Sequence, residues 1–367
     1  MPTFYVDETG FTGEDLLARE QPLFVQATNN YTADEADQII RDAFGRINAA
    51  ELKYTRLARG GRHEDHIVEC VRIITSDPAR AGTWVAHKEF AMVTFLVDWW
   101  MEPLAYQAGV NLYQDGGNCG TANMLFMCLE GFWSVEFRQK LLLHFQRMFR
   151  ARTRERFAEC ESFMRRERSK VSDNALEVLG YLWHSFRLLG YGHVVGLPKH
   201  VLDLALPGLV LIGHKWRERH DGPWEAVLDQ SSMMAKQKWL WEELSSPQVA
   251  EARFEYPHSS QAFPMNVSGT RFADSLHERQ IQICDVLAGA TVACLRTHMD
   301  DSKRGAYSDK LIDAGIEKLT IGGIWPSQDV TPEALGTKGW DGNEAIEWIA
   351  EELARQRGRR DQRPERG

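Results

Sequence analysis

Phe4-Tyr5-Val6-Asp7-Glu8-Thr9-Gly10 is the stretch on which the reading of this chain turns. Phe4, Tyr5 and Val6 are aromatic or β-branched and suit a pleated, buried strand. Two carboxylates follow at once, and Gly10 and Gly13 then turn the chain away. Acids at the mouth of a buried strand are costly unless a cation meets them. Either the strand ends in an ordinary polar turn, or Asp7 seeds a divalent-metal site. A second acid in an apolar setting, Asp285, strengthens the metal reading.

The 367 residues can bury a large core, and that length suggests two or three units. Net charge is -9, so any nucleic-acid surface has to be a local basic patch and not a property of the whole chain. The six cysteines contain no CxxC pair, which argues against a structural zinc site. No basic region followed by a long apolar run precedes the first strand, so no signal peptide is expected. The most apolar run, near Phe90 to Trp100, is broken by Asp98 and is too short to span a bilayer. A soluble, reduced, cytoplasmic protein is the expectation, with no membrane partner.

Residues 22–28 read as a second strand, and Thr32 with Glu35 forms a capping-box pattern opening a helix to about Ile47. Glu51 and Lys53 stand two apart, so in an extended segment both face one side. They are either a solvated edge, or an acid joining the site and a cation holding phosphate. His63-Glu-Asp-His66 lacks the i, i+4 spacing of paired metal-binding histidines and reads as a polar helix start. Residues 82–88 suit a third strand, with Lys88 at its end facing phosphate or water. From about Glu89 to Asp221 helix-period runs replace strand signals.

Within those runs, residues 138–170 hold eleven cations against four acids, a surplus of seven in an acidic chain. Arginine grips phosphate through a planar fork, so Arg147, Arg150 and Arg154 are candidate nucleic-acid contacts. A self-paired solvated helix face is the alternative. Strand texture returns at residues 222–229, ending in Asp229, and a helix follows at 233–244. Another strand is expected over 263–275, ending in Asp274. The helix at 278–296 is apolar nearly all round, as a buried helix is. It holds one carboxylate in that apolar part, Asp285, with Gln282 one turn earlier on the same face. Beyond Met299, helices are expected near 309–318 and 343–355, joined by a loop rich in Gly, Pro and Trp. The tail beyond is basic and free of apolar residues, hence expected to be disordered.

Tyr5-Val-Asp-Glu-Thr-Gly10, Glu51-Leu-Lys53, the strand ending in Lys88, Val227-Leu-Asp229, and Asp274-Ser275 with Gln282-Ile-Cys-Asp-Val-Leu-Ala-Gly289 resemble the blocks of the "domain of unknown function 3800" family. Thr9 stands where that family commonly has Ser, and Cys284 where it has Ala. The resemblance implies an α/β fold: a ribonuclease H-like mixed sheet flanked by helices. Residues 1–92 and 223–299 would form the discontinuous core. Outside that core the resemblance does not reach; there the residue pattern itself gives 93–222 as a large helical insertion, 300–355 as a helical C-terminal extension, and 356–367 as a disordered basic tail. The resemblance further implies a metal-dependent nuclease using Mg²⁺ or Mn²⁺, with two ions. Asp7 would bridge, Asp229 and Asp285 would flank, and Glu8 or Glu51 would supply a fourth carboxylate, with Asp274 a weaker candidate. Lys53 and Lys88 would steady the scissile phosphate; the resemblance does not reach the helical middle, so Arg147, Arg150 and Arg154 stand as DNA or RNA contacts on their charge alone, with Gln282 a further candidate. A homo-oligomer, or a partner in a defence system, would be compatible with this.

Three rivals stand beside it. A haloacid dehalogenase-like phosphotransferase needs a second Asp where this chain has Thr9. An actin-like or sugar-kinase-like enzyme needs a late phosphate-binding glycine hairpin, which is not evident. A noncatalytic nucleic-acid- or protein-binding module would keep the fold without the chemistry.

Overall fold

A computed structural model describes residues 1–45, 51–168, 173–220, 222–230, 232–256, 259–342 and 348. The first strand, β1 (Thr3–Thr9), leads through a turn at Gly10 into β2 (Leu23–Asn29). A Cβ on Gly10 would lie 2.0 Å from the Leu23 carbonyl oxygen, and its φ of +77° is one that glycine adopts freely. Helix α1 (Ala33–Phe44) starts at the expected capping box. The Thr32 amide donates to Glu35 Oε2 at 2.8 Å and the Glu35 amide to Thr32 Oγ1 at 3.3 Å. A single turn α2 (Tyr54–Leu57) and helix α3 (Glu64–Thr75) precede β3 (Ala81–His87).

Helices then fill the chain: α4 (Lys88–Leu96), α5 (Glu102–Gln107), α6 (Gly117–Gly131), α7 (Val135–Ala151), α8 (Arg154–Arg168), α9 (Asp173–Gly196) and α10 (Ala205–Arg219). Strand β4 (Trp224–Asp229) and helix α11 (Ser232–Ser245) follow. Next come the hairpin β5 (Ala252–Tyr256) and β6 (Ser259–Phe263), then β7 (Val267–Ala273). Helix α12 (Arg279–Met299), helix α13 (Ala306–Asp313), a 3₁₀ turn over Ile316–Leu319, strand β8 (Thr320–Ile324) and a short α14 (Pro332–Leu335) complete it.

The main sheet is mixed, with order β7-β4-β1-β2-β3-β8. β1, β2 and β3 run antiparallel in turn, while β4 lies parallel to β1 and β7 parallel to β4. Alternation along β1 sends Phe4 and Val6 to one face and Tyr5 to the other. On the first face Phe4, Phe24 and Trp84 share a continuous core with Leu96, Trp100, Phe145 and Trp216 of the intervening helices. Each such side chain contributes about 1.5–3 kcal/mol when fully buried. Polar tethers fix this layer: Trp216 Nε1 donates to Thr28 Oγ1 at 2.9 Å, and Gln26 Nε2 to the Ala205 carbonyl at 3.0 Å. On the second face Tyr5, Val25, Ala27 and Val227 pack with α1, α3, α12 and α13.

Two expectations need correction. The strand expected over 263–275 is present but shorter, as β7; Phe263 instead ends β6, and Pro264, with no amide hydrogen for a ladder, separates the two. The C-terminal stretch is not purely helical, since β8 pairs parallel with β3. Gly322 and Gly323 read as a loop, yet both lie in this edge strand, and at Gly323 only a bare backbone fits. A Cβ on Gly323 would lie 2.3 Å from the Val85 carbonyl oxygen. The helix expected near 343–355 and the tail 356–367 lie, apart from residue 348, outside the described residues. No helix among the described residues is long and apolar enough to cross a membrane.

Candidate functional site: an acidic cluster around Lys53

The pleat that turns Tyr5 toward α12 turns Asp7, two residues on, the same way. Parallel pairing of Tyr5 with Val227 and Val6 with Leu228 brings the next positions, Asp7 and Asp229, side by side. Helix α12 is pinned across this point by Asn29, whose Nδ2 donates to the Gln280 carbonyl at 2.8 Å and to Cys284 Sγ at 3.0 Å. Asp285 follows Cys284 and accepts the Tyr54 amide. The segment leading into α2 supplies the remaining charges. Lys53 is extended (φ -124°, ψ 127°), and its Nζ lies 3.4 Å from Glu51 Oε1 and 3.9 Å from Asp285 Oδ1. Glu51 in turn accepts the Ser275 hydroxyl at 2.5 Å. The two-residue spacing of Glu51 and Lys53 thus puts both on one side, while Leu52 between them enters the core.

The electrostatics show how closely these groups act on one another. Burial, then the charges of Asp229 and Asp285, hold the Asp7 carboxyl well above the usual carboxylate range against the pull of Lys53. Asp7 is 5% exposed; its Oδ1 accepts the Glu8 amide at 2.7 Å, and its Oδ2 is buried with no hydrogen-bond partner. Burial also raises Asp229 and Asp285, with Lys53 opposing both shifts. For Lys53, burial works against the charge, but Asp7, Asp285, Asp229 and Glu51 together outweigh it and raise the ammonium. The ammonium is the cation that these acids share.

All the donors here are carboxylate oxygens, which suit hard divalent cations such as Mg²⁺ or Mn²⁺, and the orphaned Asp7 Oδ2 leaves room for one more bond. Oxygens sharing one Mg²⁺ lie within about 4.2 Å of each other, given bonds of about 2.1 Å. The three aspartates do not form a group within 4.8 Å; among the described residues the group that does is Cys294, His298 and Glu317. A single ion gripped by all three aspartates therefore does not fit. No family model, no curated protein and no solved structure matches this chain.

Of the residues singled out in the sequence, Asp7, Asp229, Asp285, Glu51 and Lys53 come together. Glu8 does not, because strand alternation directs it to the opposite face from Asp7. Lys88 does not either. It begins α4 instead of ending β3, is 1% exposed, and donates from Nζ to Thr12 Oγ1 at 2.7 Å. Burial lowers its ammonium to about 8, and the carboxylate that opposes this is Asp15. Gln282 is fully buried, so it contacts no substrate. It is a strut instead: Oε1 accepts the Leu52 amide at 3.0 Å and Nε2 donates to the Ser275 carbonyl at 2.6 Å. Asp274 is exposed and accepts the Leu276 amide at 2.9 Å, though its charge still reaches Asp229.

Arg147, Arg150 and Arg154 are exposed, on helices that cover the sheet face opposite α12. Much of the surrounding basic stretch is self-paired: Arg138 with Glu89 at 2.7 Å, Lys140 with Glu136 at 2.7 Å and Arg156 with Glu159 at 2.6 Å. The sequence reading assigns no role to Ser275, Tyr54 or Asn29. Their roles come through a hydroxyl, a backbone amide and a side-chain amide, and only spatial neighbours reveal such roles.

Proposed function

We propose that this protein is a divalent-metal-dependent nuclease that hydrolyses phosphodiester bonds of DNA or RNA. The observation that carries the reading is that Asp7, Asp229 and Asp285, from three segments far apart in the chain, act on one another electrostatically, with the Asp7 Oδ2 buried and without a hydrogen-bond partner. The sheet supports it too: β1 lies inside it, with the antiparallel succession β1-β2-β3 on one side and β4 and β7, both parallel to β1, on the other. A ribonuclease H-like core of the kind in the domain of unknown function 3800 family calls for such an arrangement.

On this reading Asp7, Asp229 and Asp285, with Glu51 as a fourth carboxylate, would hold Mg²⁺ or Mn²⁺ ions. Such ions, when bound, activate water and stabilise the leaving oxygen of a phosphodiester. Tyr54 holds Asp285 in place through its amide, and Ser275 holds Glu51. Lys53 neutralises the acids when they are without ions and steadies the scissile phosphate once they are loaded. Arg147, Arg150 and Arg154 would meet flanking backbone that passes to the other layer.

The test is incubation of purified protein with labelled DNA and RNA panels in Mg²⁺, Mn²⁺ or EDTA. Cleavage should need the metal and vanish in Asp7→Asn and Asp285→Asn, while binding persists. Cutting that survives EDTA, or that Asp7→Asn retains, would refute the proposal. The placement of Lys53 between Glu51 and Asp285 favours one other reading, a noncatalytic binding module in which the lysine is the permanent counter-ion. It expects no cleavage under any condition and unaltered binding in both variants.

A further inference from the structure

We propose that Cys294, His298 and Glu317 form a second metal site, distinct from the aspartate cluster and selective for a borderline transition ion, zinc above all. Cys294 and His298 are four residues apart on α12, so their side chains rise from the same helix face. Glu317 comes from another element, the 3₁₀ turn over Ile316–Leu319. One ligand atom from each residue lies within 4.8 Å of the other two, and no other such triad occurs among the described residues. His298 Nε2 and Glu317 Oε1 are 3.2 Å apart, and the Cys294 side chain is buried directly beneath.

The donor types select the ion. A thiolate is too soft a ligand for Mg²⁺, whereas thiolate, imidazole and carboxylate together suit tetrahedral Zn²⁺ or Co²⁺. Three protein ligands leave the fourth position for water. His298 also lines an open hollow of about 480 Å³, walled by Thr320 and Trp325 among others, which leaves this member of the triad open to solvent. Binding replaces the Cys294 S–H bond with a metal–sulfur bond, the proton passing to buffer, and requires His298 to be neutral. An ion here would join the C-terminal end of α12 to the turn that feeds β8, and so brace the edge of the main sheet. The absence of any CxxC pair in the sequence concealed this arrangement, because its third ligand is remote in the chain.

The experiment uses the full chain, stripped with EDTA and titrated with Co²⁺ and then with competing Zn²⁺. A single equivalent of Co²⁺ should produce sulfur-to-cobalt charge-transfer absorption, which Zn²⁺ removes. Cys294→Ser should abolish that absorption. His298→Ala and Glu317→Gln should weaken Co²⁺ binding by at least about tenfold. Both latter positions are half-exposed, at 43% and 50% of their side chains, so these variants should fold. Asp7→Asn should leave the absorption unchanged, which keeps this site separable from the proposed nuclease centre. The inference is overturned if no charge-transfer band appears, or if the band survives Cys294→Ser and so belongs to the exposed Cys119 or half-buried Cys128. Unchanged Co²⁺ affinity in both His298→Ala and Glu317→Gln would overturn it as well.

Discussion

Asp7→Asn should make the metal-free protein more stable, an unusual sign for a change at a buried charged residue. In the native chain Asp7 Oδ2 is buried without a hydrogen-bond partner and faces the charges of Asp229 and Asp285. A buried acceptor left unsatisfied costs about 1–3 kcal/mol. Asparagine keeps the acceptor for the Glu8 amide at Oδ1 and puts an N–H donor where the orphaned oxygen stood. The opposing term is a lost attraction to Lys53, but Glu51 at 3.4 Å and Asp285 at 3.9 Å still hold that ammonium. The first effect wins, by about 2 kcal/mol. At roughly 2 °C per kcal/mol for a chain of this size, the Tm should rise about 4 °C.

The pH dependence follows from the direction of the Asp7 shift. Its folded pKa is raised, so the folded state binds the proton more tightly than the unfolded chain does. The native protein therefore loses stability as pH rises from about 3.9, the unfolded value, through the folded value. The advantage of Asp7→Asn should be present near neutrality and vanish below about pH 3.9. The assay is differential scanning calorimetry of both proteins in EDTA and in Mg²⁺. Saturating Mg²⁺ should raise the Tm of the native protein and leave that of the variant unmoved. A variant less stable than the native protein in EDTA at neutral pH would refute the account of Asp7 as a strained, unpaired carboxylate.

Gln282→Leu should destabilise by about 2–4 kcal/mol, because the Leu52 amide and the Ser275 carbonyl each lose a buried partner. Urea unfolding would measure the loss, and faster amide exchange at Leu52 would place it. Gly289→Ala should cost about 1–3 kcal/mol by overpacking, since the new Cβ would sit 2.1 Å from Tyr54 Cγ. Faster exchange of the Tyr54 amide, which holds Asp285, should accompany it; a variant as stable as the native protein would show that Tyr54 can move aside. His214 is buried against Phe263 (ring centroids 4.8 Å apart), and burial lowers its imidazole to about 4. Its folded pKa lies below the unfolded value of about 6.5, so the native protein should lose stability as pH falls from about 6.5 toward 4, by at most about 3 kcal/mol. His214→Leu should flatten that part of the curve in urea titrations, and an unchanged slope would assign it to other groups.

Most of what is local was legible in the sequence. The β1 strand is written in Phe4, Tyr5 and Val6, the α1 cap in Thr32 and Glu35, and the buried character of α12 in its nearly unbroken apolar surface. These follow from side-chain shape, backbone hydrogen bonding and periodicity, which act over a few residues. The same reasoning marked Asp7 and Asp285 as acids in need of a partner, since a carboxylate in apolar surroundings demands one, whereas the place of Asp229 beside them came from the family resemblance. It misjudged β8, because two adjacent glycines signal a turn, and sequence alone does not show that Gly323 is there because the neighbouring strand leaves no room for a side chain.

The tertiary structure alone decided which acids share a face and which cation they share. Glu8 is separated from Asp7 by one residue step of the pleat, and Lys88 by the start of α4, so neither joins the cluster. Gln282 became a strut because α12 buries it completely, and the Cys294, His298 and Glu317 triad exists only because the turn after α13 returns to the end of α12. Charge interaction and coordination depend on distances of a few ångströms, and packing between remote segments sets those distances.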